Sequence, residues 1–250
     1  MTLEAVLFVL SLNLLGFAWC YIMQSDHLTD LIYSFSFLGL AALLYTQQPS
    51  SLFHRILFFL IALWSIRLGL YLVYRVSVMG RDKRFDKMRK NWRRIGSFWL
   101  LQTISILVIS LPLICVFDKD IDAIKTIHLF GFGLAILGLI IESIADFQKF
   151  RFRRNPNNKG LFIQSGLWKI VQHPNYSGEI LFWCGIFVGC AAHLNAWEWL
   201  SIIGPLWIII LLVRISGIPI LQKLAKKNYG HLNTFEPYRS STPKLLPFLY

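Results

Sequence analysis

Residues 142–185, ESIADFQKFRFRRNPNNKGLFIQSGLWKIVQHPNYSGEILFWCG, place dense charge beside two long apolar runs. The first run is apolar enough to cross a membrane, yet it carries Glu142 and Asp146, followed by Lys149 and Arg153. At the helical repeat of about 100° per residue, this spacing brings all four side chains onto one face. Because lipid cannot solvate such charges, we expect this face to line a wet or ligand-filled cavity.

A polar segment, 172–179 (QHPNYSGE), comes directly before the second apolar run. Proline suits the first turn of a helix, so a helix is predicted to begin at Pro174 with His173 just before it. The backbone N–H groups of that turn would form an anion site. Asn175 and Glu179 would share one face of the helix. A phosphate-bearing ligand could therefore meet a helix N-terminus, an amide and a carboxylate in sequence.

The composition indicates an integral membrane protein. Hydrophobic residues make up 56% of the 250 residues and aromatic residues 15%, which is too apolar for a soluble domain of this size. We predict one all-α unit, a polytopic membrane bundle of about seven transmembrane helices. Apolar runs of spanning length fall near 3–23, 28–46, 53–78, 98–117, 126–147, 178–194 and 197–217.

The distribution of basic residues predicts the orientation in the membrane. Twenty of the 25 lysines and arginines fall in three segments, 80–97, 148–177 and 214–250. Cytoplasmic segments carry an excess of Lys and Arg, so an odd number of spans places the N-terminus outside and the C-terminus in the cytoplasm. The net charge of +12 does not indicate nucleic-acid binding, because the basic residues alternate with membrane-length apolar segments.

Charged and phenolic side chains inside the second and third spans are candidates for function. Asp30 opens the second span and is either an N-terminal cap or a carboxyl that handles a proton at the edge of a cavity. Arg67, Tyr71 and Tyr74 share one face of the third span. A deep arginine costs at least about 2.5–3.5 kcal/mol, so Arg67 needs a partner. Glu142 in an ion pair, or a ligand phosphate or carbonyl, would serve.

The end of the seventh span is predicted to break. Arg214 lies near its inner end, and Gly217-Ile218-Pro219 follows, which should kink or end the helix. The tail beyond is either a membrane-surface segment or a partial cover over the cytoplasmic mouth of the cavity. The second interpretation uses Tyr229, Tyr238 and Arg239, which could close on a bound cofactor.

Neither metal chemistry nor a cleaved leader is expected. Only His173 of the six histidines sits in a polar motif, and no paired Cys/His set appears, so no metal site is predicted. The first apolar run lacks a basic flank and is long enough to span, so we interpret it as a first helix rather than a signal peptide. The four cysteines are expected to be reduced packing residues: Cys20, Cys115, Cys184 and Cys190.

The most specific pattern in the chain consists of Glu142-x-x-Ala145-Asp146-x-Gln148-Lys149, Gly160-Leu161-Phe162, Gly166-Leu167-Trp168 and His173-Pro174-Asn175-Tyr176-x-Gly178-Glu179, with Trp183 and Gly185. This pattern resembles the steroid 5-alpha-reductase superfamily and, more narrowly, its bacterial DUF1295 group of membrane proteins. Weaker similarities at Asp30, at 64–69 and at 216–219 extend the resemblance over most of the chain.

The resemblance implies a single transmembrane reductase-like domain over 1–250, whose C-terminal part, about 126–250, binds the cofactor. It also implies a location in a bacterial inner membrane. NADPH would lie in the cytoplasmic half of the bundle, and an apolar, steroid- or lipid-like enone would enter from the bilayer. Hydride would pass to the β-carbon of the enone while an acid supports the carbonyl oxygen. By motif position the resemblance implies cofactor contacts from these residues: Glu142, Asp146, Arg153, Asn175, Glu179 and Arg214. His173 and Tyr176 of the polar turn and Tyr238 of the tail are further candidates for cofactor binding.

The chain departs from the steroid reductases at the groups that polarise the ketone. Those enzymes carry a glutamate in the second span and a tyrosine in the third, whereas Trp64 precedes Arg67 here. Asp30, Tyr71 or Tyr74 would substitute, with Arg67 close by on the third span. These four residues are the catalytic candidates.

Two other functions stay open. Isoprenylcysteine-type methyltransferases, which use S-adenosylmethionine, also have a His-Pro-x-Tyr-x-Gly turn before a membrane helix. They resemble this chain mainly over 160–190 and usually carry a glutamate in the tail, where this chain has Gln222. The other alternative is a lipid-binding membrane protein without enzymatic activity. The expected partners are membrane lipids and an apolar substrate, not nucleic acid.

Overall fold

The computed structural model describes residues 2–25, 28–46, 51–79 and 91–247. Regular secondary structure in these ranges is helical, which confirms the all-α prediction. By length and composition, six described stretches can cross a membrane: Leu3–Ile22, Thr29–Thr46, Leu52–Tyr74, Trp92–Val116, Thr126–Arg154 and Glu198–Tyr229. The chain is a multi-pass membrane protein. Part of the basic segment 80–97 lies outside the described residues.

The α-helices are α1 (Thr2–Ile22), α2 (Thr29–Thr46), α3 (Leu52–Met79), α4 (Trp92–Ile109), α5 (Leu111–Val116), α6 (Thr126–Arg154), α7 (Leu167–Ile170), α8 (Pro174–Ala191), α9 (Ile203–Ile210), α10 (Ile218–Tyr229) and α11 (Phe235–Ser241). Short 3₁₀ turns lie at Pro156–Asn158 and Glu198–Ile202. Each predicted span corresponds to helix, including the sixth, which forms α8. That helix is not among the six most apolar stretches, because its first residues, PNYSGE, are polar.

The seventh predicted span ends in an irregular turn, as its Gly-x-Pro sequence indicated. After α9 the backbone widens into a π-helical turn over Leu211–Ile215, and α10 begins at Ile218. Between them, a Cβ on Gly217 would lie 2.3 Å from the carbonyl oxygen of Leu212. Only glycine allows this close approach, and Pro219 then fits the first turn of α10.

The chain divides into two compact units. Unit 1 comprises Met1–Phe130 and Phe187–Gly204, and unit 2 comprises Gly131–Ile186 and Pro205–Tyr250. The predicted Asp30, Arg67, Tyr71 and Tyr74 belong to unit 1. The predicted cofactor residues belong to unit 2.

A buried polar network joins three helices of unit 1. The Asn13 side-chain amide donates to the Val9 carbonyl at 2.9 Å and to the Ser36 hydroxyl at 3.1 Å. Gln102 Nε2 donates to Asn13 Oδ1 at 3.0 Å. These bonds connect α1, α2 and α4. Since lipid offers no partners for polar groups, such bonds fix how the helices pair.

A second polar cluster joins two loops of unit 1. The Lys119 ammonium donates to the His193 carbonyl at 2.5 Å and also pairs with the Glu198 carboxylate. The Nε2 atoms of His128 and His193 lie 3.0 Å apart, and the Lys125 N–H donates to His128 Nδ1. His128 therefore carries its proton on Nε2 and donates it to His193. Among the described residues, no group of three or more His, Cys, Asp or Glu is arranged to hold a metal.

Candidate functional site

The centre of unit 2 is a close crossing of α6 and α8. A Cβ on Gly178 would lie 2.6 Å from the Glu142 backbone nitrogen and 2.7 Å from the Gly138 carbonyl oxygen. A Cβ on Gly138 would lie 2.4 Å from the Phe182 nitrogen, and one on Gly185 would lie 2.4 Å from the α6 backbone. The two helices therefore touch backbone to backbone. Small residues allow this approach between membrane helices, and it brings Glu142 against the first turns of α8.

The acidic half of the predicted charged face is buried. Glu142 is 3% exposed and Asp146 is 5% exposed. Asn175, Tyr176 and Glu179, on the first turns of α8, are half-buried. Two carboxyl groups at this depth need polar neighbours within the protein, because lipid supplies none.

The C-terminal part of α6 holds the short helix α7 in place. The Leu167 N–H donates to Gln148 Oε1 at 3.0 Å, and Trp168 Nε1 donates to the Ala145 carbonyl at 3.1 Å. The Lys149 ammonium lies 4.5 Å from the centre of a Trp168 ring, a cation–π contact. Gly166 has φ +62, and a Cβ there would lie 2.6 Å from the Gln148 amide. These contacts fix Trp168 and Lys149 beside each other.

The C-terminal tail packs onto the segment before α8. Tyr238 on α11 donates its hydroxyl to the Trp168 carbonyl at 2.6 Å. Gln172 Nε2 donates to the carbonyls of Arg239 at 2.9 Å and Thr242 at 2.5 Å. We call residues 242–245 the strap, since their carbonyls accept further bonds from this segment. Gln172 and Tyr238 therefore both hold the tail against this segment.

The strap binds polar groups next to the turn that the sequence predicted as an anion site. The Gln172 and His173 N–H groups donate to the carbonyls of Pro243 and Lys244 at 2.8 and 3.0 Å. The Ser177 hydroxyl donates to the Leu245 carbonyl at 2.6 Å. Part of the polar surface at the start of α8 thus binds the chain's own tail.

An aromatic cluster joins the loop after α6 to the tail helices. The Phe162 ring centroid lies 5.8 Å from that of Tyr229, 5.3 Å from that of Phe235 and 5.2 Å from that of Tyr238. Such contacts add to the stability gained from burial. The cluster forms one wall of a cavity.

The cavity has a volume of about 220 Å³ and lies entirely within unit 2. Lys149, Arg153 and Arg239 line it, and none of the described lining residues is an Asp or a Glu. Arg239 also pairs with Glu236, whose carboxylate lies 3.3 Å from the guanidinium. The aromatic residues in its walls are Phe152, Phe162, Trp168, Tyr229, Phe235 and Tyr238.

Two titratable residues in the wall are held in their neutral forms. The pKa of His173 is lowered to about 3, first by burial and then by the charges of Lys149 and Lys244. Burial raises the pKa of Tyr238 to about 12. The imidazole of His173 is therefore uncharged at pH 7. The phenol of Tyr238 is protonated, as its hydrogen bond to the Trp168 carbonyl requires. The charged residues that line the cavity are therefore its three cations.

The cavity gathers some of the residues predicted from sequence. Arg153, His173 and Tyr238 line it, and so do Tyr229 and Arg239, as expected for a tail that covers a site. The other predicted cofactor residues are not among its lining residues: Glu142, Asp146, Asn175, Tyr176, Glu179 and Arg214. Arg214 is exposed on the π-helical turn.

Several lining residues were not predicted, and five of them lie on α10. These five are Leu221, Gln222, Leu224, Ala225 and Asn228. They recur at helical spacing, so they form one face of the helix. Periodicity would have found this face, but it could not show what the face covers.

The catalytic candidates of unit 1 differ in burial. Asp30 is half-buried at the second position of α2. On α3, Arg67 and Tyr71 are half-buried, whereas Tyr74 is 47% exposed. Arg67 and Tyr71 lie one helical turn apart, which keeps them on one face.

The sequence pattern of the family described as "Protein of unknown function (DUF1295)" matches residues 16–242. The chain belongs to the DUF1295 family. The resemblance inferred from 142–185 is thereby confirmed, and the match includes residues of both units of the DUF1295 protein. No solved structure matches it.

Curated relatives of this DUF1295 protein are of two kinds. It is 31% identical over 123 residues to 3-oxo-5-alpha-steroid 4-dehydrogenase 1 of Macaca fascicularis, covering 49% of this chain and 41% of that one. The Homo sapiens enzyme of the same name is 30% identical over 123 residues, covering 49% and 42%. A probable O-methyltransferase, ustE of Ustilaginoidea virens, is 34% identical over 56 residues, covering 22% and 20%. The chain spans less than half the length of these relatives.

Proposed function

We propose that this DUF1295 protein is a membrane-embedded, NADPH-dependent reductase of a conjugated C=C bond in an apolar, steroid- or lipid-like enone. The observation that carries the proposal is the cavity of unit 2, which has three cationic side chains and no carboxylate among its described lining residues. When bound, NADPH supplies the hydride that adds to the β-carbon of the enone. The similarity to the two steroid dehydrogenases supports the same reaction class.

The residues of the cavity fit part of a phosphorylated dinucleotide. Lys149 and Arg153 suit phosphate oxygens, because charge-assisted hydrogen bonds are the stronger kind. The aromatic walls suit the flat faces of a base or a nicotinamide ring. Small-molecule pockets usually measure about 300–1,000 Å³. At about 220 Å³, this cavity would hold one end of the cofactor.

The charge of the cavity discriminates between the two candidate cofactors. NADPH is an anion, whereas S-adenosylmethionine carries a sulfonium cation. A site with Lys149, Arg153 and Arg239 attracts the anion and repels the cation. The specific observation in favour of a methyltransferase is the similarity to ustE, which covers 22% of this chain. We keep that activity as the second candidate.

The remaining predicted residues receive proposed roles. Buried Glu142 and Asp146, with residues of the first turns of α8, would hold the ribose or the carboxamide of the cofactor. The α8 residues are Asn175, Tyr176 and Glu179, and Arg214 would add a further contact to phosphate. In unit 1, Asp30, Arg67, Tyr71 or Tyr74 would support the developing negative charge on the carbonyl oxygen.

We further propose that the protein resides in a bacterial inner membrane, with its N-terminus outside and its C-terminus in the cytoplasm. The basic residues at the end of α6 and in α10 support this orientation. It places the cavity on the side where NADPH is available.

The first test is thermal stability of the detergent-purified protein with NADPH, NADH or S-adenosylmethionine. A ligand that binds only the folded state, at 100 times its Kd, adds about 2.7 kcal/mol of stability. We expect NADPH to stabilise the protein and S-adenosylmethionine to have no effect. Stabilisation by S-adenosylmethionine alone would establish the methyltransferase instead. No saturable effect of any nucleotide would favour a lipid-binding role.

Arg153→Ala is the matching residue test. Loss of one charge-assisted contact should weaken NADPH binding by about 1.5–3 kcal/mol, or about tenfold to 150-fold. Arg154→Ala is the control, since Arg154 is exposed on the same helix and is not among the lining residues. If the two variants bound NADPH with equal affinity, Arg153 would not be a contact of the cofactor.

A further inference from the structure

The polar side chains of the cavity divide into those already bonded within the protein and those that are not. Gln172 donates to two tail carbonyls, and Tyr238 donates to the Trp168 carbonyl. These two residues hold the walls together. Their side-chain donors are used in the folded protein before any ligand arrives.

His173 and Gln222 differ from them. The Nε2 atoms of both side chains are buried and have no hydrogen-bond partner among the described residues. His173 is 7% exposed, and both residues line the same cavity. Leaving a buried polar group unbonded costs free energy, so such groups are rare and each requires an explanation.

The two residues come from separate elements. His173 immediately precedes α8, while Gln222 lies on α10, one turn before the lining residue Ala225. Neither carries a charge at pH 7, because burial and two lysines lower the pKa of His173 to about 3. The cations of the cavity, in contrast, are Lys149, Arg153 and Arg239. The wall of the cavity thus offers two kinds of polar side chain: three charged donors, and the uncharged His173 and Gln222.

We propose that Gln222 and His173 together bind one uncharged polar group of the ligand, of the amide type, and that Gln222 is a specificity-determining residue. The Gln222 NH₂ donates to an oxygen or ring nitrogen of that group, and the imidazole supplies the second hydrogen bond. A nicotinamide carboxamide and an adenine edge share this chemistry. The inference rests on the proposed function for the identity of the ligand.

The first readout is the stability of the ligand-free protein, and it needs no assumption about the ligand. Gln222→Met keeps the length of the side chain and removes an unbonded donor, so we expect an unchanged or higher Tm. Gln172→Met is the matched comparison, because the same substitution there removes two bonds to the tail and should lower the Tm. A fall at Gln222 as large as the fall at Gln172 would show that Gln222 is a structural residue, which would overturn the proposal.

The second readout is binding of NADPH and NADH, measured by titration. Loss of one neutral hydrogen bond should weaken both cofactors by the same factor, about threefold to tenfold, since the 2′-phosphate is not involved. Lys226→Met is the control on α10, because Lys226 is exposed and is not among the lining residues. Unchanged affinity in Gln222→Met, with normal binding by the wild type, would also overturn the proposal.

A third probe, 2′,5′-ADP, distinguishes the two sources of the uncharged group. If Gln222 binds the adenine edge, the variant should bind 2′,5′-ADP less tightly by the same factor. If it binds the carboxamide, affinity for 2′,5′-ADP should not change while that for NADPH falls. A wild type that binds none of the three probes would refute the NADPH assignment, and the ligand-free comparison of Gln222 with Gln172 would still decide whether Gln222 is structural.

Discussion

Gly178→Ala tests the backbone contact that positions α8 against α6. The added Cβ would lie 2.6 Å from the Glu142 nitrogen, and ordinary contacts begin at 3.4 Å, so the helices must part by about 0.8 Å. Overpacking of this kind costs about 1–3 kcal/mol. Backbone atoms cannot rotate away as a side chain could, so we expect the upper half of that range. Alanine regains about 0.8–1.0 kcal/mol of helix propensity. The net loss is therefore about 1–2 kcal/mol.

The assay is thermal unfolding in detergent. For a chain of this size, each kcal/mol shifts the Tm by about 2–4 °C, so Gly178→Ala should lower it by roughly 2–8 °C. Gly133→Ala is the matched control on α6, because a Cβ there would meet nothing within 4 Å. Helix propensity alone should raise its Tm by about 2–4 °C.

The test is that the two alanine substitutions should change the Tm in opposite directions. If Gly178→Ala raised the Tm as Gly133→Ala does, the helices would not be in backbone contact at this point. The same displacement moves Glu142 away from α8, so NADPH affinity should also fall in Gly178→Ala. It should be unchanged in Gly133→Ala.

Two further predictions concern residues in the cavity wall. The pKa of His173 falls from 6.5 in the unfolded chain to about 3 in the folded one. Below pH 6.5 only the unfolded chain takes up this proton, so stability falls as the pH falls, by about 1.4 kcal/mol at pH 5.5. The stability of His173→Gln should lack this part of the pH dependence. An identical profile of stability against pH in the variant and the wild type would contradict the lowered pKa of His173. Tyr238→Phe removes the bond to the Trp168 carbonyl and should cost about 0.5–1.5 kcal/mol. Chemical denaturation measures this loss, and an unchanged midpoint would mean that the tail is held by other contacts.

Arg153, His173 and Tyr238 show how far sequence motifs reached into the site. Arg153 followed from helical spacing along α6, and His173 from the proline turn that begins α8. Tyr238 followed from the interpretation of the tail as a partial cover over the mouth of the cavity. All three line the cavity. Arg153 and His173 were predicted because the cause of their positions is local, within a few residues of the chain. Tyr238, in contrast, is held by a hydrogen bond to the carbonyl of Trp168, 70 residues away.

The different roles of Gln172 and Gln222 could not be predicted from the sequence. Both are glutamines, and nothing adjacent in the sequence distinguishes their roles. The structure bonds Gln172 to the tail, whereas Gln222 Nε2 has no partner among the described residues. The strap carbonyls that occupy the N–H groups of Gln172 and His173 were likewise not foreseen, because they come from about 70 residues further along the chain.

The sequence by itself determined the helical class, the membrane spans and the break at Gly217. These depend on apolar length, helical period and the properties of glycine and proline, all of which act over short distances. Only the tertiary structure decided that Lys149, Arg153 and Arg239 line one cavity and that the tail closes it. Such juxtapositions depend on side chains far apart in the chain, whose pairing is fixed by packing and cannot be read from local pattern.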